Sequence, residues 1–172
     1  GQWTDWDPFF TPDGKKIVFV SNRPNGTEQK GPPDYDLWVV TRTGTGGWST
    51  PENLGNRINT EFWESAPSLS PDKRDLYFSS GRPGGYGGKD IYVSHRNAGG
   101  RWSEPENLGP EINTAGDEST PFIHADNQTL YFTSNGHPGY GGDDLFLSRK
   151  CEKGKWAAAE NLGYPINTIE TE

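Results

Sequence analysis

One polar phrase, written three times, constrains this chain more than any other feature. It reads "STPENLGNRINTEFWES" from Ser49, "SEPENLGPEINTAGDES" from Ser103 and "AAAENLGYPINTIETE" from Ala157. A tryptophan opens each copy, and 54 residues separate Trp48 from Trp102 and Trp102 from Trp156. The segments ahead of the phrase repeat as well. "DPFFTPDGKKIVFVSNRP" starts at Asp7, "APSLSPDKRDLYFSSGRP" at Ala66 and "TPFIHADNQTLYFTSNGH" at Thr120. Then come "DLWVVTR" from Asp36, "DIYVSHR" from Asp90 and "DLFLSRK" from Asp144. A repeat this short is one supersecondary unit, and it must stack on its neighbours to bury its apolar faces.

Each unit reads as four strands. Strand a covers "PFFTP", "PSLSP" and "PFIHA", and an Asp turn suited to a tight hairpin follows it. Strand b is "KIVFVS", "DLYFSS" and "TLYFTS". A Gly-rich loop leads to strand c, "DLWVVT", "DIYVSH" and "DLFLSR", and a short strand d is placed near "GWSTPENL". These runs are β-branched and aromatic, and helical periodicity with caps is absent. The 23 glycines and 14 prolines exceed a fifth of the chain, a share that suits disorder, but the aromatic residues (13%) are gathered in the strand runs. Four strands in about 54 residues is the size of a propeller blade. The spacing therefore predicts an all-β chain, a β-propeller segment of four-stranded antiparallel blades. Residues 1–172 form a single segment of three blades, 5–63, 64–117 and 118–172. The first carries five extra residues around "NGTEQKGPP". Phe19, Phe78 and Phe132, with Trp38, Tyr92 and Phe146, are assigned to packing between blades. A β-sandwich or a flat solenoid is the alternative.

The segment "SPDKRDLYFSSGRPGGYGGKDIYVSHR" resembles the WD-repeat-like blade of the TolB-type β-propeller family. The shared features are an S-P-D turn, an aromatic strand ending in Ser, then Arg, a Gly-rich loop and D-I-Y. The tail "W…PENLG…INT…DE" resembles the version found in multidomain envelope proteins of the Bacteroidetes type, where an OmpA-like domain often accompanies it. No such domain is present here. The resemblance covers nearly the whole chain and implies a propeller in a periplasmic or extracellular setting. Unit three departs from it, with "HADNQ" in place of the S-P-D turn and Gly136 in place of Arg23 and Arg82.

Closed propellers typically have four to eight blades. The three units run in phase, Asp5, Glu64, Glu118 and Glu172 being equivalent. Two arrangements follow. The chain is part of a larger single-chain propeller, the usual solution, or two copies form a homodimer through open blade edges and close a six-bladed ring.

The net charge of −8 disfavours nucleic acid and anionic lipid as partners. No apolar run approaches the length of a membrane span, so no membrane insertion is expected. The single Cys151 cannot form an intrachain disulfide, and it falls on an exposed c–d hairpin. The absence of an initiating Met suggests a mature or excised piece. "NGT" at Asn25 and "NQT" at Asn127 match the glycosylation acceptor pattern.

The b–c and d–a loops share one face of a propeller, so the repeated phrases ring one mouth of its channel. In the phrase, Asn53, Asn107 and Asn161 before Leu-Gly suit a turn with Gly at positive φ. Asn59, Asn113 and Asn167 suit side-chain-to-backbone bonds that replace missing ladder bonds. Asp36, Asp90 and Asp144 suit a turn-capping role. A functional reading makes the mouth a polar rim. Glu64, Glu118, Asp5 and Glu172 would attract a basic peptide or a cation there, unless Arg23 and Arg82 neutralise them in internal salt bridges. Tyr86 and Tyr140, flanked by glycine, are contact points for a protein or a sugar ring. The candidate binding residues are therefore Arg23, Glu64, Arg82, Tyr86, Asn113, Glu118 and Tyr140.

No catalytic residue, metal or cofactor is assigned. The glycines do not match a Walker loop, because Pro83 and Asp90 occupy its Gly and Ser/Thr positions. His95, His124 and His137 fall at three different places in the repeat. Ser21, Ser80 and Ser134 recur in every unit, which argues structure rather than nucleophile. The expected function is a non-catalytic binding scaffold of a bacterial envelope that engages a protein partner or cell-wall component. The alternative is a polysaccharide-processing enzyme, a glycosidase or lyase, with axial carboxylates such as Glu64 and Glu118. A purely structural spacer is a third reading.

Overall fold

The computed structural model describes residues 2–24, 34–151 and 154–171. The insertion expected around "NGTEQKGPP", Asn25 and Glu172 lie outside the described residues. Twelve strands form three antiparallel four-stranded sheets. The first sheet holds β1 (Asp5–Phe10), β2 (Lys16–Ser21), β3 (Asp36–Thr41) and β4 (Glu52–Asn53) in that order. The second holds β5 (Glu64–Leu69), β6 (Asp75–Ser80), β7 (Asp90–His95) and β8 (Glu106–Asn107). The third holds β9 (Glu118–Ile123), β10 (Thr129–Ser134), β11 (Asp144–Arg149) and β12 (Glu160–Asn161). No helix occurs among the described residues.

The sheets are arranged as blades. The first strands β1, β5 and β9 meet in succession, whereas β4, β8 and β12 touch only their own sheets. The sheets therefore converge at their first strands and splay at their fourth. One apolar cluster joins blades one and two through Val18, Val20, Leu37, Ile58, Leu76, Phe78 and Tyr92. Its counterpart joins blades two and three through Tyr77, Ile91, Val93, Ile112, Leu130, Phe132 and Phe146. Phe78 with Tyr92 and Phe132 with Phe146 pack between blades as expected, each pair with its rings stacked. Phe19 and Trp38, their counterparts in blade one, lie beneath the Arg23 guanidinium, 5.1 and 5.4 Å from it.

Strands b and c fall where the β-branched and aromatic runs place them. Strand a is displaced toward its N-terminal side, because a bulge interrupts each copy between Trp6 and Phe9, between Ser65 and Ser68, and between Ser119 and Phe122. Asp7, Ala66 and Thr120 occupy left-handed conformations there, with φ of 46°, 48° and 48°. No glycine marks these positions, so the bulge has no sequence flag. Strand d shrinks to two residues plus an isolated bridge at each tryptophan, such as Arg42 with Trp48. The phrase that follows does the pairing with side chains instead.

Candidate functional site

The sheet register brings the chemistry to one end of each blade. Glu64 lies opposite Ser80, and Ser80 opposite Asp90; Glu118, Ser134 and Asp144 repeat the row, as do Asp5, Ser21 and Asp36. The phrase then folds back over this end as a clamp. Asn59 accepts from the Leu37 amide at 2.8 Å and donates to its carbonyl at 3.0 Å. Asn113 does the same to Ile91, at 2.8 and 2.9 Å, and Asn167 to Leu145, at 2.8 Å both ways. Each also donates to the Asn that opens its phrase: Asn53, Asn107 or Asn161. Gly55, Gly109 and Gly163 sit at positive φ in the turn, as expected. Asn113 is buried, so its amide is spent on the backbone and is not displayed to a ligand.

The acidic rim expected at Glu64 and Glu118 is corrected in the same way. Both side chains are fully buried. Glu64 accepts from the Thr60 amide (2.8 Å), the Thr60 hydroxyl (2.7 Å) and Ser80 (2.8 Å), and pairs with Arg82 at 3.2 Å. Glu118 accepts from the Thr114 amide (2.7 Å), the Thr114 hydroxyl (2.6 Å) and Ser134 (2.6 Å). Burial pushes the Glu64 carboxyl above its ordinary pKa, opposed by the Thr60 and Ser80 hydrogen bonds and the Arg82 charge. These carboxylates tie the phrase to the start of the next blade. Arg23 likewise pairs with Asp5 at 2.8 Å.

Arg82 also donates to the Ile58 carbonyl at 2.6 Å and lies over the rings of Phe78 and Tyr92. Blade three has Gly136 at the arginine position, where the backbone runs close to the Thr114 side chain. A Cβ at Gly136 would stand 1.8 Å from the Thr114 hydroxyl. His137 fills the slot from the next position. Its Nε2 lies 2.8 Å from the Ile112 carbonyl, and its ring packs on Phe132 and Phe146.

The Gly-rich loops interlock with the phrases. A Cβ at Gly87 would meet the Gly116 and Thr114 carbonyls, at 2.3 and 2.4 Å. Asp90 and Asp144 accept from the Tyr86 and Tyr140 amides, which is the turn-capping role expected of them. Tyr86 and Tyr140 themselves project from this frame and are exposed.

The mouth also carries a feature that reading the repeat for its similarities misses. Between blades one and two, Trp6 stacks on Tyr35 (centroids 4.4 Å apart) and Trp63 meets Tyr35 edge-on at 4.7 Å. Lys89 lies 5.8 Å from the Trp63 ring, and Trp3, Phe62 and Trp63 are exposed. The equivalents in the other units are Ser65 and Ser119 for Trp6, Lys89 and Asp143 for Tyr35, and Asp117 and Thr171 for Trp63. Alignment of the units for their differences would have singled out each of these residues, though not their contact. Beside it, Asp34 has a buried Oδ1 without a hydrogen-bond partner. Burial, then the neighbouring Asp36 charge, raises its pKa to about 6.

The three histidines lie apart. His95 contacts Asp75, His124 contacts Asp126, and His137 fills the slot described above. A cleft of about 490 Å³ opens between blades two and three at the other end of the strands, lined by Tyr77, His95, Glu106, Glu111, Lys150 and Trp156. Cys151 is exposed.

No protein-family model matches the chain, and no curated protein matches it. Solved structures do. TolB from Acinetobacter baumannii superposes with a TM-score of 0.62 at 18% identity, over 96% of this chain and 33% of its own length. The Pseudomonas aeruginosa periplasmic gluconolactonase PpgL gives 0.55 at 17% identity, over 92% of this chain and 44% of its own. Bacteroides ovatus xyloglucan PUL GH43B gives 0.53 at 17%, over 97% and 30%. The chain thus spans less than half the length of each, and the likeness is one of fold: three blades of a β-propeller.

Proposed function

We propose that this segment is a non-catalytic binding scaffold whose loop-rich mouth engages a protein partner or cell-wall component in a bacterial envelope. The observation that carries the reading is a division of labour. The recurring asparagines, serines and strand-start carboxylates of the mouth are consumed by the fold, whereas its exposed aromatic residues depart from the repeat or project beyond it. Trp63, Trp3, Tyr86 and Tyr140 offer flat apolar faces on a rigid frame, which suits contact with a protein or sugar ring. The likeness to TolB and to a periplasmic enzyme supports the envelope setting.

The enzyme reading loses its named residues. Glu64 and Glu118 are buried and hydrogen-bonded within the frame, so neither carboxylate faces a substrate. The cleft lined by Glu106 and Glu111 is one place that offers carboxylates to a substrate. A glycan panel assayed for released reducing ends or unsaturated products separates the two readings. The scaffold predicts no turnover; sustained turnover abolished by Glu106→Gln or Glu111→Gln would overturn it. Capture from envelope extract by the native chain and by Tyr86→Ala/Tyr140→Ala tests the face. Equal recovery of every partner would count against these tyrosines.

A further inference from the structure

The two internal junctions also differ at the end of the strands away from the mouth. Between blades two and three the cleft measures about 490 Å³. At the same place between blades one and two only about 50 Å³ is left. The places correspond residue by residue. Val18, Val39, Leu54, Arg96 and Trp102 line the small gap, and their repeat counterparts Tyr77, Val93, Leu108, Lys150 and Trp156 line the large one. At the first junction Arg57 bridges the two blades by pairing with Glu104 at 3.1 Å, and Lys73 lines the gap. At the second, the counterparts of these three residues are Glu111, Ala158 and Asn127, so the bridge is absent. The blades stay joined there by backbone, since the Ala159 amide donates to the Glu111 carbonyl at 3.2 Å.

The second junction instead sets charge against charge across an open space. Glu106 and Glu111 line it from blade two, and Lys150 and Lys155 from blade three. No ion pair joins the two walls among the described residues. Lys150 is fixed from behind, because its Nζ donates to the Tyr77 hydroxyl at 2.9 Å and lies 5.1 Å from the Trp156 ring. Asp75 is 4.0 Å from that Nζ and is engaged by His95 at 2.8 Å. The Lys150 ammonium thus keeps donors for a ligand. Val93 and Trp156 add apolar surface to the lining.

We propose that this cleft binds a small zwitterion with an apolar side chain, the chemistry of a free amino acid or a short peptide. Its ammonium group faces Glu106 and Glu111, its carboxylate faces Lys150 and Lys155, and its side chain lies against Val93 and Trp156. Charges of both signs on facing walls select such a ligand. A simple anion would meet the glutamates and a simple cation the lysines, while a neutral sugar would leave both walls uncompensated. The volume falls within the roughly 300–1,000 Å³ of small-ligand sites. The cleft lies apart from the mouth, so it stands independently of the partner proposed there.

Isothermal titration calorimetry of the chain with phenylalanine and with alanyl-phenylalanine tests this. Saturable binding of at least one is expected, and the tighter of the two identifies the source. Capping one charge of that probe, as its N-acetyl or its C-terminal amide form, should weaken binding at least about tenfold. Glu111→Gln should weaken the uncapped probe about three- to tenfold and leave the N-acetyl form unchanged. Lys155→Gln should do the same and leave the amide form unchanged. Both residues are exposed, so the urea midpoint should not move. No saturable heat from either probe up to about 10 mM would overturn the proposal. So would capped forms that bind as tightly as the zwitterion, or an affinity that neither substitution moves. Cellobiose binding more tightly than both probes would overturn it too and make the cleft a glycan site.

Discussion

The junction between blades one and two and the junction between blades two and three are built on the same frame but lined differently. Both are held by an asparagine clamp, Asn59 or Asn113, and by a buried glutamate, Glu64 or Glu118. At the first, Trp6, Tyr35 and Trp63 pack together at the mouth. At the second, the positions of Tyr35 and Trp63 hold Lys89 and Asp117, and the Lys89 amide donates to the Asp117 carboxylate at 2.8 Å. The frame tolerates an aromatic or a polar lining without changing register. Trp6 and Tyr35 pack against the core that blades one and two share, which leaves Trp63 as the member of the cluster most open to a ligand.

The sharpest way to break this comparison is to cut the clamps. Asn113→Ala leaves the Ile91 amide buried without a partner and strips one of two bonds from its carbonyl, which keeps the Leu108 amide at 3.1 Å, a loss of about 2–4 kcal/mol. Asn59→Ala should lose nearly the same, and urea unfolding of both variants checks it. Widely unequal losses would mean that the frames differ. Gly136→Ala comes next. Its methyl group would strike the Thr114 hydroxyl, which itself bonds Glu118, so overpacking should cost about 1–3 kcal/mol in the same assay.

Asp34, beside the aromatic junction, gives the smallest effect and a pH signature. Its folded pKa is raised from 3.8 to about 6, so it favours the fold below 3.8 and loses that contribution as pH rises through 6. Asp34→Asn should therefore raise the melting temperature at pH 7 and leave it unchanged near pH 3.5. With much of the group open to solvent, the gain should stay under about 1 kcal/mol. A gain at low pH instead would reverse the sign and refute the assignment.

Strands b and c were legible because β-branched and aromatic residues gather there in short runs. Strand a was legible but its start was not, since its bulge is held by Asp7, Ala66 and Thr120 in a conformation their side chains do not announce. The asparagine clamp was legible from its recurrence. The same recurrence should have marked Glu64 and Glu118 as braces. Acidic residues at a strand start read as a rim only until Thr60, Ser80 and Arg82 are seen closing over one of them. The aromatic junction escaped because Trp6, Tyr35 and Trp63 lie far apart in sequence and at three different repeat positions. Only the folded register brings them together.

Retention of purified chain on an immobilised envelope fraction, measured for the native protein and for Trp63→Ala alongside urea unfolding, tests the division between frame and mouth most directly. The account predicts at least a tenfold fall in retention, about 1.4 kcal/mol, with unfolding shifted by less than that. Unchanged retention, or a stability loss as large as that of Asn113→Ala, would contradict it.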